Sequence, residues 1–469
     1  MFQSDKNHIN KYFIIIQTVK TLYIHISRPS YIDIIGFIHT LTSLFKYITM
    51  KRQLLRNVLI TMSLLGMSTA SMATDGYFSL GYGTINKGLA GAGTAFYQAS
   101  LIGGNPAGNV FNSSQWNLAA ALFNPNRQYT ITGNPSGMPN TFGLTPGTVK
   151  SDSKYFIMPS VGKNWKINDK SALTFAFYGN GGMNTNYPTA TFYDPSSSST
   201  GVNLAQMFLD VAYSYKLAEK HSIGVSGLFA YQYFSAKGLA SFGMMSSDPT
   251  NLSGNGTDNS TGFGLKVGYL GELFDGFWLG AKYQTKIYSK SFSKYAGLFA
   301  EQGKFEVPSN WSVGIAYNLT PTLTAMADVK RINYSESKAV SNPMMTSSGM
   351  NPLGADNGPG FGWKDVTAYK FALSYSGIKT WTLRAGYSFN NQPIPSSEVM
   401  FNILAPAVIQ SHIALGCSKQ LNDKGTALNF AFNYALNNSV SGPNPMEVPG
   451  QQTIKIEMNQ VEFEVGITF

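Results

Sequence analysis

Residues 381–389 read Trp381-Thr382-Leu383-Arg384-Ala385-Gly386-Tyr387-Ser388-Phe389. The odd positions carry Trp, Leu, Ala, Tyr and Phe, and the even ones Thr, Arg, Gly and Ser. Successive side chains of a strand point to opposite faces, so this segment has one oily face and one polar face. The same period runs through Leu428/Phe430/Phe432/Tyr434/Leu436, Leu173/Phe175/Phe177, Ile223/Val225/Gly227/Phe229/Tyr231, Phe263/Leu265/Val267/Tyr269 and Trp311/Val313/Ile315/Tyr317. A period of two sustained over so many segments predicts an all-β chain.

Composition narrows the kind of β-structure. Of the 469 residues, 47 are Gly, and Phe, Tyr and Trp number 31, 26 and 6. Charged residues make up only 12 %, about half the ~25 % of ordinary soluble domains. Disordered chains are charge-rich and aromatic-poor, so this is a folded chain. Mean hydropathy is −0.08, which excludes a bundle of transmembrane helices. The single cysteine, Cys417, excludes an internal disulfide and a cysteine-based zinc cluster. A soluble sandwich gives the same alternation, but it does not place so many aromatics at strand ends. Aromatic girdles mark the two interfaces of a transmembrane barrel.

The connections count the strands. Short polar turns fall at Asn168-Asp169-Lys170, Ala218-Glu219-Lys220, Phe274-Asp275-Gly276, Asn318-Leu319-Thr320, Gly377-Ile378-Lys379 and Asn422-Asp423-Lys424. Longer polar stretches lie near 132–152, 187–203, 240–259, 291–306, 338–364, 391–408 and 438–452. Short and long alternate, as in outer-membrane barrels with short periplasmic turns and long outer loops. Seven long and six short connections predict a 14-stranded antiparallel transmembrane β-barrel, with both termini periplasmic. The last strand runs to Phe469, and a terminal Phe on an alternating strand resembles the assembly signal read by the barrel-assembly machinery. Upstream, Ile454/Ile456/Met458 stand out of phase with Val461/Phe463/Val465. A bulge near Asn459-Gln460, or a later strand start, accounts for that. The polar faces predict a lumen lined by Asp210, Lys266, Lys282, Asp328, Lys330, Lys370, Arg384, Glu462 and Glu464. Their first role is structural, since buried charges are generally paired.

The front of the chain is read separately. Met50-Lys51-Arg52-Gln53-Leu54-Leu55-Arg56 is a basic start, Val58–Gly66 a short apolar core, and Ser71-Met72-Ala73 a small-x-small cleavage site. This is the form of a secretory signal peptide. The expected organisation is an upstream gene-model extension over 1–49, a signal peptide over 50–73, an N-terminal hatch over 74–112 and a barrel over 113–469. Residues 1–73 hold 8 of the 34 basic and 2 of the 24 acidic residues, leaving 26 against 22, or +4, in the mature chain. The overall pI of 9.3 is therefore mostly a property of the front segment. Nucleic acid is excluded as a partner, because phosphate binding needs a basic footprint.

Residues 74–112 break the alternation. They are Gly-rich and contain Asn105-Pro106-Ala107. A phosphate loop is excluded, since no Gly-Lys-Ser/Thr ending follows a strand. A compact segment ahead of the first strand fits as a plug inside the barrel. Here the residues resemble a family. Gly88-Leu89-Ala90-Gly91-Ala92-Gly93 followed by Gly104-Asn105-Pro106-Ala107 is similar to the hatch of FadL-type long-chain fatty acid transporters (OMPP1/FadL/TodX). The resemblance continues through Pro308–Tyr317, Gly362-Trp363-Lys364-Asp365, Tyr369–Leu373 and Thr382–Pro395, covering essentially all of 74–469.

The resemblance implies a monomeric outer-membrane barrel in a Gram-negative cell, surrounded by lipid and lipopolysaccharide. It implies passive uptake of hydrophobic small molecules, fatty acids or hydrocarbons, and no metal or organic cofactor. Hatch residues Gly91, Gly93, Asn105, Pro106 and Ala107 match, with Asn105 at a position that lines the family's pocket. The third strand, Phe175-Ala176-Phe177-Tyr178-Gly179-Asn180-Gly181-Gly182-Met183, is rich in glycine where the family has a lateral opening. Gly179, Gly181 and Gly182 are its candidates, and glycine in a strand also marks bulges. Two basic positions that hold a carboxylate in fatty-acid members fall near Ala240 and Pro359. Lys364, Lys286 or Lys237 is the expected substitute, and Phe177 an apolar ligand contact. A pocket without those cations favours uncharged oily molecules.

Two other classes compete with this one. A general or structural porin-like barrel without a hydrophobic ligand differs by conducting ions freely. An outer-membrane phospholipase needs a Ser–His pair on the wall. After residue 73 the only histidines are His221, beside a short turn, and His412, in Ser411-His412-Ile413. The expectation is that the chain is not an enzyme.

Overall fold

The structure, a computed structural model, describes Asp75–Phe469. The expected extension over 1–49, the signal peptide over 50–73 and Thr74 lie outside the described residues. Fourteen long strands follow one another in sequence order. They are β1 (Gln115–Thr132), β2 (Phe156–Asn168), β3 (Ser171–Asn184), β4 (Gly201–Ala218), β5 (His221–Lys237), β6 (Asp258–Phe274) and β7 (Phe277–Gln284), then β8 (Asn310–Thr320), β9 (Leu323–Ile332), β10 (Val366–Ile378), β11 (Trp381–Asn390), β12 (Ser411–Gln420), β13 (Ala427–Pro443) and β14 (Thr453–Thr468). Each pairs antiparallel with its neighbours, and β14 pairs with β1 to close the barrel. Closure leaves no edge strand, as strands surrounded by lipid require, and only the far part of the β2–β3 ladder is unpaired.

The alternation settles which face looks outward. Leu383, Tyr387 and Phe389 are exposed while Arg384 and Ser388 are buried. Ile223, Val225 and Phe229 are exposed, as are Trp311, Val313, Ile315 and Tyr317. A closed band of exposed Leu, Val, Ile and aromatic side chains faces lipid, because left in water each would cost about 1.5–3 kcal/mol. Among the described residues no helix is long and apolar enough to cross a membrane.

The turns sit within a residue or two of their expected places. The strand ending at Thr320 moves one turn to Pro321-Thr322, and Ile378 remains in β10 so that Lys379-Thr380 make the next turn. Two long loops carry short ribbons: Gly147–Lys150 pairs with the upper part of β1, and Tyr288–Ser289 pairs with β6. The seventh long stretch begins later than 438, since β13 continues to Pro443.

The bulge expected near Asn459-Gln460 is absent. The register of β14 against β1 runs unbroken from Asn117↔Thr468 to Thr132↔Thr453. The irregularity lies on the partner strand, between Ala435 and Asn438 of β13. Ile454, Ile456 and Met458 face inward in phase with Gln460, Glu462 and Glu464, and all six are buried. The sequence changes phase because the lumen changes chemistry along its length. Toward the long loops the inward positions are apolar, as also with Val202, Leu204 and Phe208 on β4 and Tyr129 and Ile131 on β1. Toward the short turns they are polar and charged.

Residues 75–112 pack inside the barrel at the polar end. They form a helical turn (Thr84–Lys87) and two 3-10 turns (Tyr97–Ala99, Pro106–Phe111). Two wall glycines make the close approach possible. A Cβ on Gly386 would lie 2.5 Å from the Leu89 carbonyl carbon, and one on Gly280 would collide with the Thr94 carbonyl. In the fold these two residues are the contact surface for the segment inside.

Candidate functional site

The polar end is held by charge. Lys87 pairs with both Glu462 and Glu464, the latter at 2.6 Å. Asp75, fully buried, pairs with Lys330 at 2.9 Å and Lys370 at 3.0 Å. Lys370 also donates to the Leu80 carbonyl at 3.1 Å. Burial works against a charged Asp75, but the ammonium groups of Lys330 and Lys370 outweigh it and hold the carboxyl well below the usual range. Burial likewise opposes the charge on Lys87, and Glu462 and Glu464 outweigh it to hold the ammonium above the ordinary lysine range. Lys266 pairs with Asp210 at 2.5 Å, and Asp328 accepts from the Thr94 amide at 2.9 Å. Eight of the nine expected lumen charges are buried; Lys282 is half-buried.

Asn105 is a hub of the inner segment. Its amide donates to the Thr94 carbonyl at 3.0 Å and the Tyr269 carbonyl at 2.9 Å, and its side-chain oxygen accepts from the Ala107 amide at 3.1 Å. It caps the Pro106–Phe111 turn, with Pro106 pre-set at the first position. Ser222 Oγ donates to the Ala107 carbonyl at 2.7 Å. Gly91 takes φ +81, a left-handed conformation that suits glycine, and Gly93 packs against Asn86.

The pairing of β2 with β3 stops partway along β3. The β2–β3 ladder runs from Asn168↔Ser171 only as far as Val161↔Phe177. Beyond it, Phe156–Ser160 of β2 stay paired with β1, and Tyr178–Asn184 of β3 stay paired with β4. The β3–β4 register slips between Gly179 and Gly181. The inner segment takes up the slack: the Ser79 amide donates to the Asn180 carbonyl at 2.9 Å, and the Gly182 amide to the Tyr77 carbonyl at 3.2 Å. Gly181 has φ +155, and any Cβ there would strike the Tyr77 carbonyl; Gly179 faces open space.

A cavity of about 210 Å³ lies at this gap. Phe156, Ile157, Met158, Phe177, Gly179 and Met183 form its wall side, while Tyr77, Trp363, Ala405 and Met458 form its inner side. Ile157, one of its lining residues, is 77 % exposed on the outer face. Its polar lining includes Arg127, Gln206 and Glu462. The inner aromatics brace one another: Tyr334 packs against Tyr77 and Trp363, each with ring centroids 5.2 Å apart. A second cavity, about 40 Å³, sits among the long loops and is lined by Phe234, Phe242, Phe299, Pro359, Phe361 and Phe401 with other apolar residues and no charged one. The segment Phe401–Ala407 borders both cavities.

Of the expected ligand contacts, Phe177 lines the larger cavity. Lys364 is exposed and lies outside the lining. Lys286 is paired with Glu306 and donates to the Glu336 carbonyl at 2.8 Å. Asn105 sits below the cavities in the contacts given above. Arg127, which borders the larger cavity, is not among the expected contacts, because its neighbours Asn126 and Gln128 hide the inward phase of β1. Of the two histidines, His221 is 2.8 Å from the Tyr269 hydroxyl, and His412 is buried with neither ring nitrogen hydrogen-bonded.

A family model described as outer membrane protein transport protein (OMPP1/FadL/TodX) matches residues 68–461. The chain belongs to this family. Solved structures of similar fold include the Pseudomonas putida toluene transporter TodX, with 17 % identity, TM-score 0.59, and coverage of 83 % of this chain and 98 % of that one. A Pseudomonas aeruginosa FadL homologue has 13 % identity and TM-score 0.59, covering 84 % and 99 %. The Ralstonia pickettii toluene transporter TbuX has 15 % identity and TM-score 0.55, covering 83 % and 98 %. No curated protein matches the sequence. At these identities the solved FadL-type structures establish the fold, and this chain shares it across most of its length.

Proposed function

We propose that this chain is a passive, non-enzymatic conduit for hydrophobic small molecules across the Gram-negative outer membrane. The observation that carries the reading is the apolar cavity running through an unpaired stretch of barrel wall. A solute enters the loop cavity, passes the Phe401–Ala407 segment, reaches the larger cavity and leaves sideways between β2 and β3. Gly179 gives that exit its width, and Gly181 and Gly182 turn β3 out of its ladder. Residues 75–112 act as a hatch, with Gly91, Gly93, Asn105, Pro106 and Ala107 at its centre, and block a straight path along the axis. Burial of an alkyl chain contributes about 0.8 kcal/mol per CH₂, so capture is strong and release needs rearrangement. Both termini are periplasmic, Phe469 is read during assembly, and the barrel works as a monomer among lipid and lipopolysaccharide.

The test is uptake of labelled oleate and labelled toluene by cells lacking their own fatty-acid porin, with and without this protein. Uptake of either supports the reading. Uptake of neither, with the barrel assembled at the surface, overturns it, and high ion conductance would then favour an open porin.

A further inference from the structure

The outward side chains of β1, β13 and β14 change character at one level. On β1 the apolar run ends at Leu122, and Asn124, Asn126 and Gln128 follow. On β14 it ends at Val461, past which come Asn459 and Glu457, and on β13 it ends at Leu436, followed by Asn437. The register sets these ends side by side: Asn124 faces Val461, Asn126 faces Asn459 and Gln128 faces Glu457. The outward apolar band of a barrel ends where lipid tails give way to headgroups. Just past that edge, toward the long loops, lies a polar notch of about 300 Å³. It is lined by Asn126 and Gln128 of β1, Glu457 and Asn459 of β14, and Lys150 and Lys154 between β1 and β2.

The charges in the notch do not balance. Glu457 is already held: Lys455 pairs with it at 2.6 Å, and Asn437 Nδ2 donates to it at 2.5 Å. Lys150 and Lys154 have no carboxylate within 4.0 Å among the described residues. Two ammonium groups beside neutral amides suit a phosphorylated sugar. The ammonium groups take phosphate as point charges, and amides bond hydroxyls. Beside the notch the apolar wall is uncovered. Ile157, paired in register with Leu122, is 77 % exposed, the highest of any large apolar side chain in the fourteen strands. Tyr155 is 71 % exposed. Unpaired cations past the edge of the band and bare apolar side chains at it fit a lipid rather than a soluble anion.

We propose that this notch binds a phosphorylated glycolipid of the outer leaflet, with its phosphates at Lys150 and Lys154 and its acyl chains along Tyr155 and Ile157. The inference rests on the outer-membrane reading above, with the long loops outside. It places that lipid beside the β2–β3 gap, so a solute leaving sideways meets its chains first.

The experiment titrates the purified barrel, in non-ionic detergent, with diphosphoryl lipid A, monophosphoryl lipid A and phosphatidylglycerol. Each lysine beside an anionic headgroup is worth about fivefold in affinity, so Lys150→Gln/Lys154→Gln binds diphosphoryl lipid A about twentyfold more weakly. Lys290→Gln/Lys304→Gln removes the same charge from exposed loop positions outside the notch and stays within about twofold. The wild-type chain, which needs no variant to assemble, binds the diphosphoryl form about fivefold tighter than the other two lipids. Equal loss in the two double variants, undiminished binding by Lys150→Gln/Lys154→Gln, or no wild-type preference for the diphosphoryl form overturns the proposal. Displacement of lipid A by equimolar inorganic phosphate also overturns it, by marking a free-anion site. Uptake of labelled toluene and oleate reports on the conduit separately: wild-type uptake of neither, with lipid A bound as expected, overturns the conduit and supports this site.

Discussion

The two ends of the lumen are built by the same strands and hold opposite contents. On β14 alone, Ile454, Ile456 and Met458 face the apolar end, and Gln460, Glu462 and Glu464 face the polar end. At the polar end, residues 75–112 are fixed by Asp75–Lys330/Lys370 and Lys87–Glu462/Glu464, contacts that have one correct geometry. At the apolar end, contacts are non-directional and leave cavities of about 210 and 40 Å³. Directional bonds immobilise; dispersion and burial accept a guest. A fixed inner segment and open cavities therefore fit in one barrel because they use different chemistry.

The strongest way to break this comparison is Asp75→Leu. It strands two buried ammonium groups, and removing one partner of a buried pair costs about 3–5 kcal/mol. The expected outcome is a lower unfolding temperature and new protease cleavage within 75–112 in an assembled barrel. An unchanged cleavage pattern would mean that charge does not hold the inner segment. Next in size is Gly280→Val, whose side chain collides with the Thr94 carbonyl. Overpacking at about 1–3 kcal/mol should unseat that stretch and raise single-channel conductance in planar bilayers. Conductance at the wild-type level would place the seal elsewhere.

Gly179→Trp sharpens the other half. A Cβ there meets nothing within 4 Å, so stability should hold to about 0.5 kcal/mol while the indole fills the gap. Solute uptake should fall by about tenfold, since about 1.4 kcal/mol of barrier is enough. Gly181 and Gly182 are poor sites for this test, because their side chains would strike backbone carbonyls. The smallest expected effect is a flat pH response. Asp75 is depressed, so its stabilisation is present above the ordinary carboxylate value of about 3.9 and lost only as pH falls below it. Lys87 is raised, so its share is present below about 10.4 and lost only as pH rises past it. Protease cleavage within 75–112 should match at pH 5 and pH 8. A rise at pH 5 would assign the hold to another group.

Much of the barrel was legible because alternation is local. Lipid on one side and lumen on the other force a period of two, and each strand writes it in its own residues, as at Trp381–Phe389. The lumen charges followed from the same phase. Where the phase flipped, at Ile454/Ile456/Met458, the pattern misled. Polarity was read as direction, and the lumen's own change from oily to charged looked like a bulge. The cations expected near a ligand do not line the larger cavity. Lys364 and Lys286 are conspicuous in sequence, but one is exposed and the other is held by Glu306. Arg127 sits in a run of polar residues on both faces of β1.

By itself the sequence determined the strand number, the outward faces and the segment that does not belong to the wall. These rest on periodicity, turn chemistry and glycine content, each carried by neighbours along the chain. Only the tertiary structure decided which inward charges pair, where the β2–β3 ladder stops and which wall glycines receive the inner segment. Those are facts about pairs far apart in sequence, such as Asp75 with Lys370, Gly386 with Leu89, and Arg127 with the cavity at Phe177. Pairing is decided by closure of the barrel, which brings β14 to β1 and sets every inward side chain against partners that no local pattern contains.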